Sequence, residues 1–176
     1  MAIKRVIDAA PVIMVAVDTT HPSDERHPAI HRETRSVLSR SDEFRLVCVS
    51  VVSAAPLGAG GEDSASALHV EHLVKLRSWT APLGLPTQRL SLHVIVAPDP
   101  ARALVDFARR NHVDVIIIGA PRPRQQPLAW MRSVASGVTA NAPCSVHVVR
   151  IPESKERPDA PALADRARRR QVGEHA

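Results

Sequence analysis

Three runs of β-branched residues dominate the hydrophobic pattern: Val12 to Val17, Leu46 to Val52, and Val113 to Ile118. Each is nearly continuous and is bounded by polar residues, Gly or Pro. That pattern predicts strands buried on both faces, as in a parallel sheet. Val146 to Val149 is a shorter run of the same kind, and Leu90 to Val96 alternates more, which places it nearer a sheet edge. Between the runs, apolar residues recur at helical spacing: Ile30, Thr34, Val37 and Leu38, then Leu73, Leu76, Thr80 and Leu83. Asp99-Pro100 is a helix start, since Asp caps and Pro suits the first helical position; Leu104, Phe107 and Ala108 form the apolar face and Asn111 the stop. A last helix is predicted from near Leu128 to Asn141, carrying Trp130, Val134 and Val138, with Pro143 beyond it. The alternation of strand and helix predicts an α/β fold, a parallel sheet with helices on both faces.

Pro56 to Ser66 and Pro121 to Pro127 read as loops. Residues 1–10 read as an N-terminal arm, 11–150 as the folded domain, and 151–176 as a polar, disordered tail. The chain has 176 residues, 44% of them hydrophobic, enough for one domain with its own core. Only 2% are aromatic and none is tyrosine, which argues against base-stacking RNA and single-strand DNA modules. The net charge is +5, but the tail's six basic residues stand against five acidic ones, so most of the excess lies in the body. Arg166, Arg168, Arg169 and Arg170 are therefore read as a solvated face, and no specific nucleic acid is expected. No run is long enough to span a membrane, Val12 to Val17 is too short for a signal segment, and cysteines are few; a reducing cytoplasm is the expected setting.

Ligands of open α/β sheets bind beyond the carboxyl ends of the strands, where the strand order reverses. Two places there are visible in the sequence. Asp18 directly follows the first strand. The chain after Ile118 enters the last helix near Ser133, and the amino end of a helix suits phosphate.

With Asp114-Val-Ile-Ile-Ile-Gly119, Ser133-Val-Ala135, Asn141-Ala-Pro-Cys-Ser-Val-His-Val-Val-Arg150, the opening Ile13-Met-Val-Ala-Val-Asp18 and Ala97-Pro-Asp-Pro-Ala101, residues 10–150 resemble the universal stress protein family. The resemblance implies a five-stranded parallel sheet of order 3-2-1-4-5 in a Rossmann-like fold, and a homodimer through the last strand, Val146 to Val149. It also implies an adenine nucleotide, ATP or AMP, with magnesium only as its companion. Asp18 corresponds to the carboxylate that contacts the adenosine part, Ala16 to a lining position, and Val51 to an apolar residue beside the base. Ile118 and Gly119 correspond to the turn beneath the ligand, and Ser133 and Val134 to phosphate contacts. The family's signature sets Gly, two residues, Gly, nine residues, then Gly before Ser or Thr. Here Gly119 is kept, but Arg122 and Arg132 hold the second and third glycine positions, and Ala135 stands where a second hydroxyl is common. An arginine adds a Cβ where backbone N–H groups would approach phosphate, and Pro121, Pro123 and Pro127 remove three donors. Guanidinium forks also bind phosphate. The arginines thus either replace the glycine-rich cradle or fill it, and the alternative to a nucleotide sensor is a dimeric interaction module of the same fold, free-standing or part of a larger regulator.

No catalytic residues are assigned, because no general base and nucleophile set is complete and Ser133 lacks the Gly-x-Ser-x-Gly elbow. Among nine histidines, the pairs His27–His31 and His69–His72 have helical spacing but no third ligand nearby, so they are read as solvent-exposed and no metal is expected. His147 is read as a packed, hydrogen-bonded residue. Cys48 and Cys144 fall on or just before the second and fifth strands, which two others separate in the implied order at about 4.8 Å per step, beyond the roughly 7 Å that a bridge allows; two free thiols are expected.

Overall fold

A computed structural model describes residues 10–21, 26–40, 43–52, 62–120 and 133–150. In chain order the elements are β1 (Val12–Ala16), α1 (Arg26–Leu38), β2 (Arg45–Val52), α2 (Glu62–Thr80), two short 3-10 turns (Ala81–Leu83 and Thr87–Arg89), β3 (Leu90–Val96), α3 (Pro100–Arg110), β4 (Val115–Gly119), α4 (Val134–Asn141) and β5 (Ser145–Val149). The strands form one sheet of order β3-β2-β1-β4-β5, and every pair is parallel. This is the order that the family resemblance implied.

Side chains alternate across a strand, and the sheet uses that alternation to build two cores. Ile13, Val15, Leu46, Cys48 and Ile117 point to one face, where Ile30, Val37 and Leu38 of α1 and Leu76 and Trp79 of α2 cover them. Met14, Val47, Val49, Ile116 and Ile118 point to the other, under Leu104, Phe107 and Ala108 of α3 and Ala135 and Val138 of α4. Near-continuous hydrophobic runs are thus required on β1, β2 and β4. β3 and β5 are edges and only half-buried.

Local chemistry sets the boundaries. Asp99 caps α3 by accepting from Arg102 N at 3.1 Å, with Pro100 next. Asn111 ends it, and His112 takes a left-handed φ of 51°, the conformation that commonly closes a helix. β4 begins at Val115 rather than Val113, because Asp114 is used at the edge: its carboxylate accepts from Val12 N at 2.9 Å, and its own N–H donates to Val12 O. α2 starts at Glu62, inside the expected loop of 56–66; no Gly or Pro follows Gly61 until Pro82, so nothing halts the helix there. At its far end Pro82 stops the helix, so Leu83 lies in a 3-10 turn rather than on the helical face assigned to it, though it still packs on the same core. α4 begins at Val134, because Ser133 is extended (φ −82°, ψ 154°) and its hydroxyl accepts from Ser136 N at 3.1 Å; positions 128–132 of the expected helix lie outside the described residues.

Gly137 shows how closely α3 and α4 approach. A Cβ there would stand 2.7 Å from the Cβ of Ala101. The two cysteines are free: Cys48 is buried in β2 and Cys144 half-buried before β5. Burial pushes the Cys48 thiol up to about 12. Of the expected arm and tail, residues 1–9 and 151–176 lie outside the described residues.

Candidate functional site

The strand order reverses between β1 and β4. From β1 the chain turns through α1 to β2 on one side; β5 follows on the other side of β4. The carboxyl ends of β1 and β4 therefore border a crevice, with Ala16 paired to Ile118 across it. Asp18 lies two residues past Ala16, and Gly119 ends β4. α4 returns antiparallel to the strands, so Ser133 at its start belongs to the same end of the sheet. Ala16, Val51 and Ile118 all lie on the face covered by α3 and α4.

The Asp18 carboxylate is held by a local cage. Oδ1 accepts from the Thr20 backbone N–H at 3.0 Å and from the Thr20 hydroxyl. Oδ2 accepts from His21 Nδ1 at 3.1 Å and from Arg26 Nη2 at 3.4 Å. His27 Nε2 donates to the Asp18 carbonyl at 3.2 Å. Partial burial pushes the Asp18 carboxyl up, but hydrogen bonds from Thr20 and His21 outweigh it and leave the group below its ordinary value. Asp18 is thus an anion over the whole neutral range.

Arg26 opens α1 and reaches across the crevice. Its guanidinium meets Asp18, and its Cδ lies 3.4 Å from where a Cβ on Gly119 would stand, with Ile30 Cδ1 at 3.1 Å. Gly119 therefore serves close approach of α1 to the end of β4, and its φ is not positive. Ser133 uses its hydroxyl as the cap of α4. Val134 is 38% exposed, so its side chain is open at the helix start, whereas Ala135 is buried in the core. Arg122 and Arg132, and Trp130 with them, fall outside the described residues.

Three histidines depart from the solvent-exposed reading. His27 and His31 are half-buried against Trp79; His31 Nε2 donates to the Trp79 carbonyl at 2.7 Å, with ring centroids 4.1 Å apart. His72 is 4% exposed, and its Nδ1 lies 2.6 Å from the Thr19 hydroxyl, which in turn lies 2.6 Å from the Ser50 hydroxyl. The periodicity was readable: His72, Leu76, Trp79 and Thr80 form the buried stripe of α2, which shares Leu76 and Thr80 with the expected face and has His72 and Trp79 where Leu73 and Leu83 were expected. Thr20 and His21 had a signal too, since Asp followed by Thr-Thr favours a turn closed by the carboxylate. Arg26 had none. His147 packs as expected, with Nδ1 3.2 Å from Glu33 Oε1 of α1.

Among the described residues, no group of three or more His, Cys, Asp or Glu is placed to hold a metal ion, and no helix is long and apolar enough to cross a membrane. A groove of about 470 Å³ runs along β5 against α1, lined by Arg32, Glu33, His147 and Arg150.

Several solved structures share this fold. They include the universal stress protein UspA from Lactobacillus plantarum, with 22% identity, TM-score 0.58, and 81% of this chain and 99% of that one covered. A universal stress protein family protein from Arabidopsis thaliana with AMP bound has 17% identity and TM-score 0.55, covering 86% and 98%. A universal stress protein in complex with cAMP has 17% identity and TM-score 0.54, covering 81% and 98%. No curated protein matches the chain significantly. Residues 11–150 match the sequence model described as Universal stress protein family. That match spans every strand and helix of the sheet just described, and the chain belongs to the universal stress protein family.

Proposed function

We propose that this protein is a regulatory sensor that takes up an adenine nucleotide, ATP or AMP, in the crevice between the ends of β1 and β4, without turnover. The observation that supports it most is the Asp18 carboxylate, fixed as an anion at the strand-order reversal beside Gly119 and suited to accept from an adenosine hydroxyl or amine. Ser133 and Val134, at the amino end of α4, would face the phosphates. Relatives of the same fold are described with AMP and with cAMP. Magnesium would enter only with a nucleotide, and binding would shift loops read by a protein partner in the cytoplasm.

The test is thermal melting of the full chain with ATP, ADP, AMP or cAMP, with and without magnesium. At ligand one hundred times Kd, the native state gains about 2.7 kcal/mol. Asp18→Ala is expected to remove the rise. A rise that persists in that variant would place the ligand elsewhere.

A second reading is a dimeric interaction module without nucleotide. It draws on the cage around Asp18, whose two oxygens already accept from Thr20, His21 and Arg26. No rise with any nucleotide at millimolar concentration would favour it. Both readings expect a homodimer through Val146 to Val149. β5 is an edge strand of half-buried valines, and an unpaired edge invites a partner strand. Light scattering at micromolar concentration should return twice the chain mass; a monomer would overturn the dimer.

A further inference from the structure

Thr19, Ser50 and His72 form a hydrogen-bonded cluster that no part of the reading above uses. They come from the turn after β1, from β2 and from α2, and are 3%, 0% and 4% exposed. Buried hydroxyls and imidazoles are costly unless satisfied, and here Thr19 is the hub, 2.6 Å from each partner. Its neighbours in sequence do the work at the crevice: Asp18 carries the carboxylate, and Thr20 grips that carboxylate with both backbone and side chain.

We propose that Thr19, Ser50 and His72 are positioning residues, a buried anchor that ties the 18–20 turn to β2 and α2 and so fixes the Asp18 carboxylate at the mouth of the crevice. The ligand side of this proposal rests on the nucleotide reading; the geometric side does not.

The anchor has a direction. Thr19 has one hydroxyl proton and two partners, so donation runs either from Ser50 through Thr19 to His72 Nδ1, or from His72 Nδ1 through Thr19 to Ser50. Neutral His72 accepts both orders. Protonated His72 can only donate, which imposes the second order and leaves a charge in a buried place. Burial is the main influence on His72 and holds it below the ordinary histidine value; Lys75 of the same helix lowers it further, while Glu71 on that helix and Asp18 on the turn oppose this. β2 presents only the neutral Ser50. Acid therefore stresses the anchor where it meets Asp18.

The experiment compares the wild-type full chain with His72→Leu, Thr19→Val and His72→Asn, whose amide can stand in for Nδ1. Two quantities are read: the Asp18 carboxyl titration by NMR, which needs no ligand, and AMP affinity as a function of pH. In His72→Leu and Thr19→Val, the Asp18 titration should move up towards the ordinary carboxylate value, and AMP should bind about tenfold more weakly. His72→Asn should restore both. Wild-type affinity should fall as acid charges His72, and that fall should be smaller in His72→Asn, where only the AMP phosphate, which titrates at about pH 6 in both proteins, still contributes. Folded His72→Leu or Thr19→Val with a wild-type Asp18 titration overturns the anchor; if His72→Leu does not fold, Thr19→Val decides alone. If the wild type takes no AMP while the titration still follows His72, the nucleotide reading fails and the anchor stands.

Discussion

Ile116→Ala is expected to lose about 2–5 kcal/mol of stability. In a chain of this length, that lowers the melting temperature by about 5–15 °C. Ile116 has no exposed surface, lies within β4, and packs under α3 and α4 with Met14, Val105 and Val138. Deleting three carbons there removes buried apolar surface and leaves a void, because the neighbours are fixed by a sheet that runs on both sides of β4. Urea unfolding should show a lower midpoint at unchanged slope. Val146→Ala, on the half-buried edge strand β5, should cost less. If the two variants lost equal stability, β4 would not be the inner, doubly covered strand described above.

The second large effect concerns acid. His31, His72 and His93 are all held below the ordinary histidine value, each chiefly by burial. A histidine depressed in the folded state takes up protons on unfolding at a pH where the native chain does not. Its contribution to stability is fully present above the unfolded value, near 6.5, and is lost as pH falls through the lower folded value. Each full proton taken up on unfolding adds a slope of about 1.4 kcal/mol per pH unit. His72 is the most buried and should supply most of it, since His31 and His93 are more exposed and solvent screens them. Melting temperature should therefore hold steady from pH 8 to 7 and decline below about 6.5. His72→Asn should flatten that decline more than a change at His93 would. Asp18, depressed in the opposite charge sense, keeps its contribution until pH falls through its own low value. A melting curve that is flat from pH 7 to 5 would contradict the burial of His72.

Most of the fold was legible in the sequence because a strand covered on both faces needs apolar residues at every position. The runs at β1, β2 and β4 could hardly be anything else. Boundaries were less legible, since they depend on single polar groups: Asp114 spends its side chain on β1, and Ser133 spends its own on the cap of α4. The face of α2 was read in part: Leu76 and Thr80 are buried, but His72 and Trp79 complete the stripe in place of Leu73 and Leu83. Hydropathy discounts His72, which the Thr19 hydroxyl from the turn after β1 makes acceptable inside. For the site, Asp18 was visible because it closely follows a buried strand. Its donors were not all visible, because Arg26 comes from across the crevice and has no spacing relation to Asp18. Gly119 ends β4, and the close approach of Ile30 and Arg26 of α1 to it had no signal in the sequence.

The first strand of the chain is the middle strand of the sheet. During synthesis from the amino end, β1 can pair with β2 early, but its other side waits until more than 60 further residues bring β4 into register. Over that interval Met14 and Val47 lack the cover of α4 and, for most of it, of α3. A nascent or truncated chain ending before β4 therefore carries a raw strand edge beside an uncovered apolar surface, the combination most prone to clumping. Completion of this protein is governed by its fourth strand: until β4 arrives the chain has three helices, three of the five strands, and a second core covered by α3 alone.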